Sequence, residues 1–152
     1  MGSSYNVCCR ECGYTKPFMI GIGMMYDPHM LEDEDSASKF LPSIIRSKKA
    51  VAQIRALLQE KAAVIAVDYG HNVYRCTKCG EFYGRFFIHL DYDGGSYEVD
   101  YKCTKCRTSL ELVGNDAGHR MGEVAIDLQK YPCPQCGKHS LYEDTESMIL
   151  WD

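Results

Sequence analysis

The chain has no apolar run long enough to cross a bilayer. Its longest, "FMIGIGMMY" and "AAVIAV", fall far short of the roughly 20 residues a membrane helix needs. No basic stretch followed by an apolar segment opens the sequence, and Asn6 stands where an N-myristoylation pattern needs Ser or Thr. The expected compartment is therefore the cytoplasm. Signatures of catalysis are missing too. The histidines His29, His71, His89, His119 and His139 show neither H-x-x-x-H nor H-E-x-x-H spacing, and there is no G-x-S-x-G or phosphate loop. Gly21 and Gly23 begin a G-x-G, but Tyr26 occupies the place of the third glycine and no helix is predicted to open there. Positive charge is also scarce: 17 Lys and Arg against 21 Asp and Glu give a formal net charge of −4. An acidic chain gains little from phosphate neutralisation, the main source of non-specific nucleic-acid affinity.

What the chain does have is cysteine. Eight of its 9 cysteines form four C-x-x-C pairs: Cys9/Cys12, Cys76/Cys79, Cys103/Cys106 and Cys133/Cys136. In a reducing compartment a disulfide framework is disfavoured, and short spacings point to metal. A two-residue gap lets the chain curl so that both sulfurs face one ion. Gly13, Gly80 and Gly137 follow the second cysteine in three pairs, which suits the left-handed backbone such a knuckle needs. Two pairs complete a tetrahedral four-thiolate site, the usual closed structural arrangement for zinc. Four pairs predict two Zn²⁺ ions, with all eight paired cysteines as ligands. A redox dithiol would be expected beside a βαβ pattern, and none is present. Cys8 is left over. It is expected to be a small apolar residue or a thiol neighbouring the site, with a reactive or metal-exchanging thiol as the alternative.

The segments around the later knuckles have the period-2 pattern of strands. "RFFIHLDY" alternates Phe86, Ile88, Leu90 and Tyr92 against Phe87, His89 and Asp91; "DGG" turns the chain; "SYEVDYK" returns it as a hairpin. "TSLELV" and "EVAIDLQKY" read as further strands separated by the polar "GNDAGHRMG". "FMIGIGMMYDP" reads as a glycine-kinked strand packing Phe18, Ile20, Ile22 and Met24 on the core, or alternatively as a Met-rich docking surface. "LEDEDSAS" reads as an acidic loop before one inserted helix at about 42–62, with Pro42 in its first turn. Ile44, Val51, Ile54 and Leu58 share the apolar face of that helix. Its basic residues Arg46, Lys48, Lys49, Arg55 and Lys61 scatter around the polar side. The fold expected is mostly β with one inserted helix, a small α+β protein of two zinc-ribbon or rubredoxin-like modules.

Which pairs share an ion is barely constrained by chain entropy. Sequential and nested pairings differ by only about 0.5 kcal/mol under the logarithmic loop-closure rule. Sequential pairing needs fewer crossing connections and is favoured. It implies a first ribbon over 1–92 carrying the helix and a second over 93–152, unless the whole chain is one compact unit.

The outer knuckles, "CRECGY" and "YPCPQCGK", resemble those of rubredoxin. That resemblance implies one iron between four thiolates and single-electron transfer, and it would require nested pairing. Over most of its length the chain is similar to small bacterial tandem zinc-ribbon proteins. The likeness is carried by "CGYTKPFMIGIGMMYDP", the helix before "VYRCTKCG", and "YPCPQCGKHSLYEDTESMILWD". It implies bacterial origin and carries no activity over to this chain. Arg10, Lys78 and Lys105 inside knuckles, with Arg75, Lys102 and Arg107 beside them, could touch phosphate or simply offset thiolate charge. With both four-thiolate zinc sites included, the net charge falls to about −8. The function expected is a non-catalytic zinc protein acting through a protein partner, with iron electron transfer or nucleic-acid binding as alternatives and no membrane involvement.

Overall fold

The computed structural model describes residues 2–65, 69–114 and 127–152. Its strands, in chain order, begin with β1 (Gly2–Cys9) and β2 (Thr15–Ile20), which flank the first knuckle. Helices α1 (Glu34–Ile44) and α2 (Lys48–Glu60) follow, then the short β3 (Val64–Ile65). β4 (Gly70–Cys76) and β5 (Phe82–Phe87) flank the second knuckle, and β6 (His89–Tyr92) and β7 (Gly95–Glu98) form the predicted hairpin. β8 (Leu110–Leu112) and β9 (Leu141–Trp151) leave the third and fourth knuckles.

These strands make three antiparallel sheets of order β2-β1-β9, β5-β4-β8 and β3-β6-β7. The first two share one plan. A hairpin is folded around a knuckle, and its first strand also pairs with the strand that leaves a later knuckle: Cys9 lies opposite Leu141, and Cys76 opposite Leu110. The β5-β4-β8 unit, the helices and the β6–β7 hairpin all fall in sequence between β2 and the fourth knuckle. One unit is thus nested inside the other. The two sheets are joined where Gly21 and His71 exchange backbone hydrogen bonds of 2.8 and 2.9 Å. Only glycine fits that crossing. A Cβ on Gly70, at φ +153°, would stand 2.9 Å from the Gly21 carbonyl.

The expectation of one helix is corrected to two. "LEDEDSAS" is not a loop: Asp33 caps α1, accepting from the Ser36 amide at 2.8 Å, and Glu34 and Asp35 occupy the first turn. Acids there favour the helix, since its N-terminus carries unpaired amides and a partial positive charge. That hydrogen bonding holds the Asp33 carboxyl below its ordinary range. Pro42 sits inside α1 near its end rather than opening a helix. It cannot donate a helical hydrogen bond, and the helix stops two residues later at Ile44. Ser47 then caps α2 through the Ala50 amide at 3.2 Å. The break rotates the buried face, so that Ile45, Ala50, Val51, Ile54 and Leu57 are buried while Ile44 and Leu58 lie at the margin. Their apolar cluster takes in Phe40, Leu41 and, from the sheet side, Phe86, Ile88 and Leu90.

The β6–β7 hairpin has the expected register, with Leu90 opposite Tyr97 and Tyr92 opposite Gly95. "RFFIHLDY" is nevertheless two strands, broken at Ile88, because Phe87 is buried too, in a second cluster with Tyr74 and Leu110. Phe18 and Ile20 pack inward as expected, but Met24 is 75% exposed. Of "EVAIDLQKY", residues 123–126 lie outside the described residues, as do most of "GNDAGHRMG" and His119. Its remainder forms a 3-10 turn at Leu128–Lys130 rather than a strand. The tail closes the molecule: Trp151 packs edge-on against Tyr26 and His71 and lies directly over Gly2 and Gly23, where any Cβ would collide with it or with Asp152.

Candidate metal centres

Each knuckle is closed by a hydrogen bond from the first cysteine's amide to the carbonyl five residues on. These are Cys9 to Tyr14 (2.8 Å), Cys76 to Glu81 (2.9 Å), Cys103 to Thr108 (2.8 Å) and Cys133 to Lys138 (2.9 Å). Such a turn brings the residue after the second cysteine into the left-handed region in every case. The φ values are 72° at Gly13, 76° at Gly80, 74° at Gly137 and 61° at Arg107. The first cysteine of each pair is buried and the second partly exposed.

The eight sulfurs gather into two sets of four, Cys9/Cys12/Cys133/Cys136 and Cys76/Cys79/Cys103/Cys106. Sequential pairing is therefore corrected to nested pairing, and each set draws cysteines from both sides of residue 92. Packing decides what loop entropy left nearly level. Val7, Phe18, Val73, Phe82 and Leu141 share one apolar cluster, so β1, β2 and β9 must close over the face of β4 and β5.

Within each set the sulfurs lie within 4.8 Å of one another. Measured edges are 3.7 Å for Cys9–Cys136, 3.6 Å for Cys12–Cys133 and 3.7 Å for Cys79–Cys103. Four thiolates around an ion at metal–sulfur distances of about 2.3 Å form a tetrahedron with edges of about 3.8 Å. The two sets have the size and donor chemistry of closed four-thiolate sites, and each could hold one ion. A cation would supply the compensation these groups need to ionise together, since four crowded thiols cannot all do so beside one another without one. Amide donation from Cys79, with the Thr108 hydroxyl, holds Cys76 down at about 6, while burial pushes Cys106 and Cys12 up to about 12.

Neighbours of the thiols were not legible in the spacing. Thr108 Oγ1 and Tyr83 OH each lie 3.3 Å from a sulfur of the inner set, Cys76 and Cys103 respectively, and both hydroxyls can donate to thiolates. Glu81 links the two centres. It accepts from Tyr14 OH at 3.1 Å, pairs with Lys16 at 3.3 Å and with Lys105 at 3.5 Å. Lys16 also donates to the Phe82 carbonyl at 2.5 Å. Glu81 was detectable only as a carboxylate directly after a knuckle, a weak signal.

Cys8 belongs to neither set. It faces outward from β1, half-buried, with its sulfur 3.3 Å from Thr15 Oγ1. His139 is held by the Gln129 carbonyl at 2.7 Å, and His89 lies between Glu98 and Asp91. Among the described residues no histidine joins either set. Nor is any helix of the described residues long and apolar enough to cross a membrane. No protein family, curated protein or solved structure matches the chain.

Proposed function

We propose that the protein binds two Zn²⁺ ions as structural centres of two zinc ribbons, one nested in the other, and works as a non-catalytic protein-interaction module of the cytoplasm. The observation that carries this reading is the pair of four-sulfur sets with tetrahedral edges. Such a set presents no open coordination position, whereas catalytic zinc keeps one for water or substrate. The shared strand plan of the two sheets supports the ribbon assignment, as does the sequence resemblance to bacterial tandem zinc ribbons.

A protein partner suits the surface better than nucleic acid does. Several cations around the knuckles are engaged internally: Lys105 with Glu81, Lys102 with Asp100, Lys138 with Glu11, and Arg10 and Arg75 over the rings of Tyr142 and Tyr131. On the outward face of the β2-β1-β9 sheet, Met19 and Ile149 lie on either side of Ser4, 44% and 64% exposed. Flexible apolar side chains in such a position favour adaptable protein contacts.

One observation favours a second reading. Nested pairing unites the two rubredoxin-like knuckles in one set, Cys9/Cys12 with Cys133/Cys136. A tetrahedral set of four sulfurs suits iron as well as zinc, and iron there would make the protein a one-electron carrier. Metal content per chain together with a visible spectrum tests both. Two zincs and a colourless protein are expected. Iron with a reversible one-electron couple would replace the structural reading, and a chain with no bound metal would refute both.

A further inference from the structure

The two sets differ in what they need from the rest of the chain. At the inner set the apolar cluster runs from Tyr74 to Leu112 alone, with Tyr83, Phe87 and Tyr101 packed around the cysteines themselves. The hydroxyls of Tyr83 and Thr108 that reach its sulfurs come from the same segment. The outer set has no such self-sufficiency. Its cluster borrows Val73, Phe82 and Val113 from the inner unit. Its first hairpin is anchored there by Lys16 on the Phe82 carbonyl and by Tyr14 and Lys16 on Glu81. Residues 80–102 separate the inner pairs and 13–132 the outer, a closure disadvantage of about twelvefold for the outer set when the chain starts unfolded.

We propose that the centres fill in a fixed order: the inner set first, building the platform on which the outer set closes. The outer set is then a releasable clasp. This rests on the metal-binding reading and goes beyond it, because it makes the two ions unequal. Loss of the outer ion frees β1, β2 and β9 while the inner unit stays folded. That release uncovers Val73 and Phe82, now 1% and 0% exposed, so metal supply controls access to an apolar face. Loss of the inner ion, in contrast, removes the platform and takes the outer ion with it.

The test compares Cys136→Ser with Cys106→Ser, counting zinc per chain by native mass spectrometry. Cys136→Ser is expected to keep one ion and Cys106→Ser none. Retention of one ion by Cys106→Ser would overturn the order. Should that variant precipitate, the zinc-loaded wild-type protein gives an independent answer under a chelator with amide exchange followed in parallel. At equilibrium the first ion is expected to leave at a free chelator concentration about tenfold lower than the second, following the closure difference. Exchange should rise over 2–20 and 127–152 while 70–112 stays protected. Simultaneous loss, or exchange rising first in 70–112, would overturn the proposal. A wild-type chain that never holds two ions would instead refute the two-metal reading on which this rests.

Discussion

In the third knuckle Arg107 occupies, at φ 61°, the left-handed position that Gly13, Gly80 and Gly137 fill in the other three. An L-residue there brings its Cβ close to the following carbonyl, at a cost of roughly 1–2 kcal/mol. Replacing Arg107 with Gly removes that strain but gives the unfolded chain about 0.4–1 kcal/mol of extra entropy. The balance for Arg107→Gly is a gain of about 0.5–1 kcal/mol. Gly13→Ala and Gly137→Ala run the calculation in reverse. Nothing lies within 4 Å of a Cβ built on either glycine, so their cost is backbone strain alone, a net loss of about 0.5–1 kcal/mol. For a chain of this length each kcal/mol moves the unfolding midpoint by about 2–4 °C. Thermal unfolding of the zinc-saturated variants should therefore place Arg107→Gly above the parent and both alanine variants below it. Midpoints in the opposite order would refute the assignment of one common turn to all four knuckles.

Cys8→Ser should leave two ions bound and stability within about 0.5 kcal/mol of the parent; metal analysis showing one ion lost would overturn the assignment of the eight paired cysteines as the ligands. Burial of the His71 ring lowers its pKa below the ordinary histidine value of 6.5. The stability this site contributes is present above that value and lost as pH falls through and below it, so His71→Phe should lose less stability than the parent between about pH 6.5 and 5. His89 behaves oppositely: its hydrogen bond to Glu98, with Asp91 adding to it, raises its pKa. That contribution is present below 6.5 and lost as pH rises through the raised value, so His89→Gln should weaken the protein at pH 6 and not at pH 9. Ring-proton titrations by NMR that moved the two histidines in one direction would contradict one of the two assignments.

The eight paired cysteines were legible as candidate ligands because a knuckle is a local object. Spacing, trailing glycine and curl all lie within six residues, and the structure brings those eight sulfurs together. The β6–β7 hairpin was legible for the same reason, with alternation on both sides of a Gly-rich turn. What failed was long-range or ambiguous in kind. The pairing of knuckles was decided by Val73 and Phe82 meeting Val7 and Phe18, contacts that no short window contains. Helix α1 was missed because a cap and an acidic first turn look like loop composition when the buried Ala37, Phe40 and Leu41 are not weighed with them. The "GIGMMY" and "LWD" segments showed no reason for their composition in the sequence; in the structure Gly23, Tyr26, Trp151 and Asp152 meet in one place.

The pairing of Gly2 with Trp151 sets the start of β1 beside the end of β9 on neighbouring strands, and the nested order of the cysteine pairs then becomes a matter of where reading begins. Join the ends by a short linker, open the chain at the Asp93–Gly94 turn, and the knuckles follow in the order third, fourth, first, second. The set that now spans the whole chain becomes the one enclosed, and the enclosed set becomes the one that spans it. The same arrangement of atoms thus admits an inside-out gene.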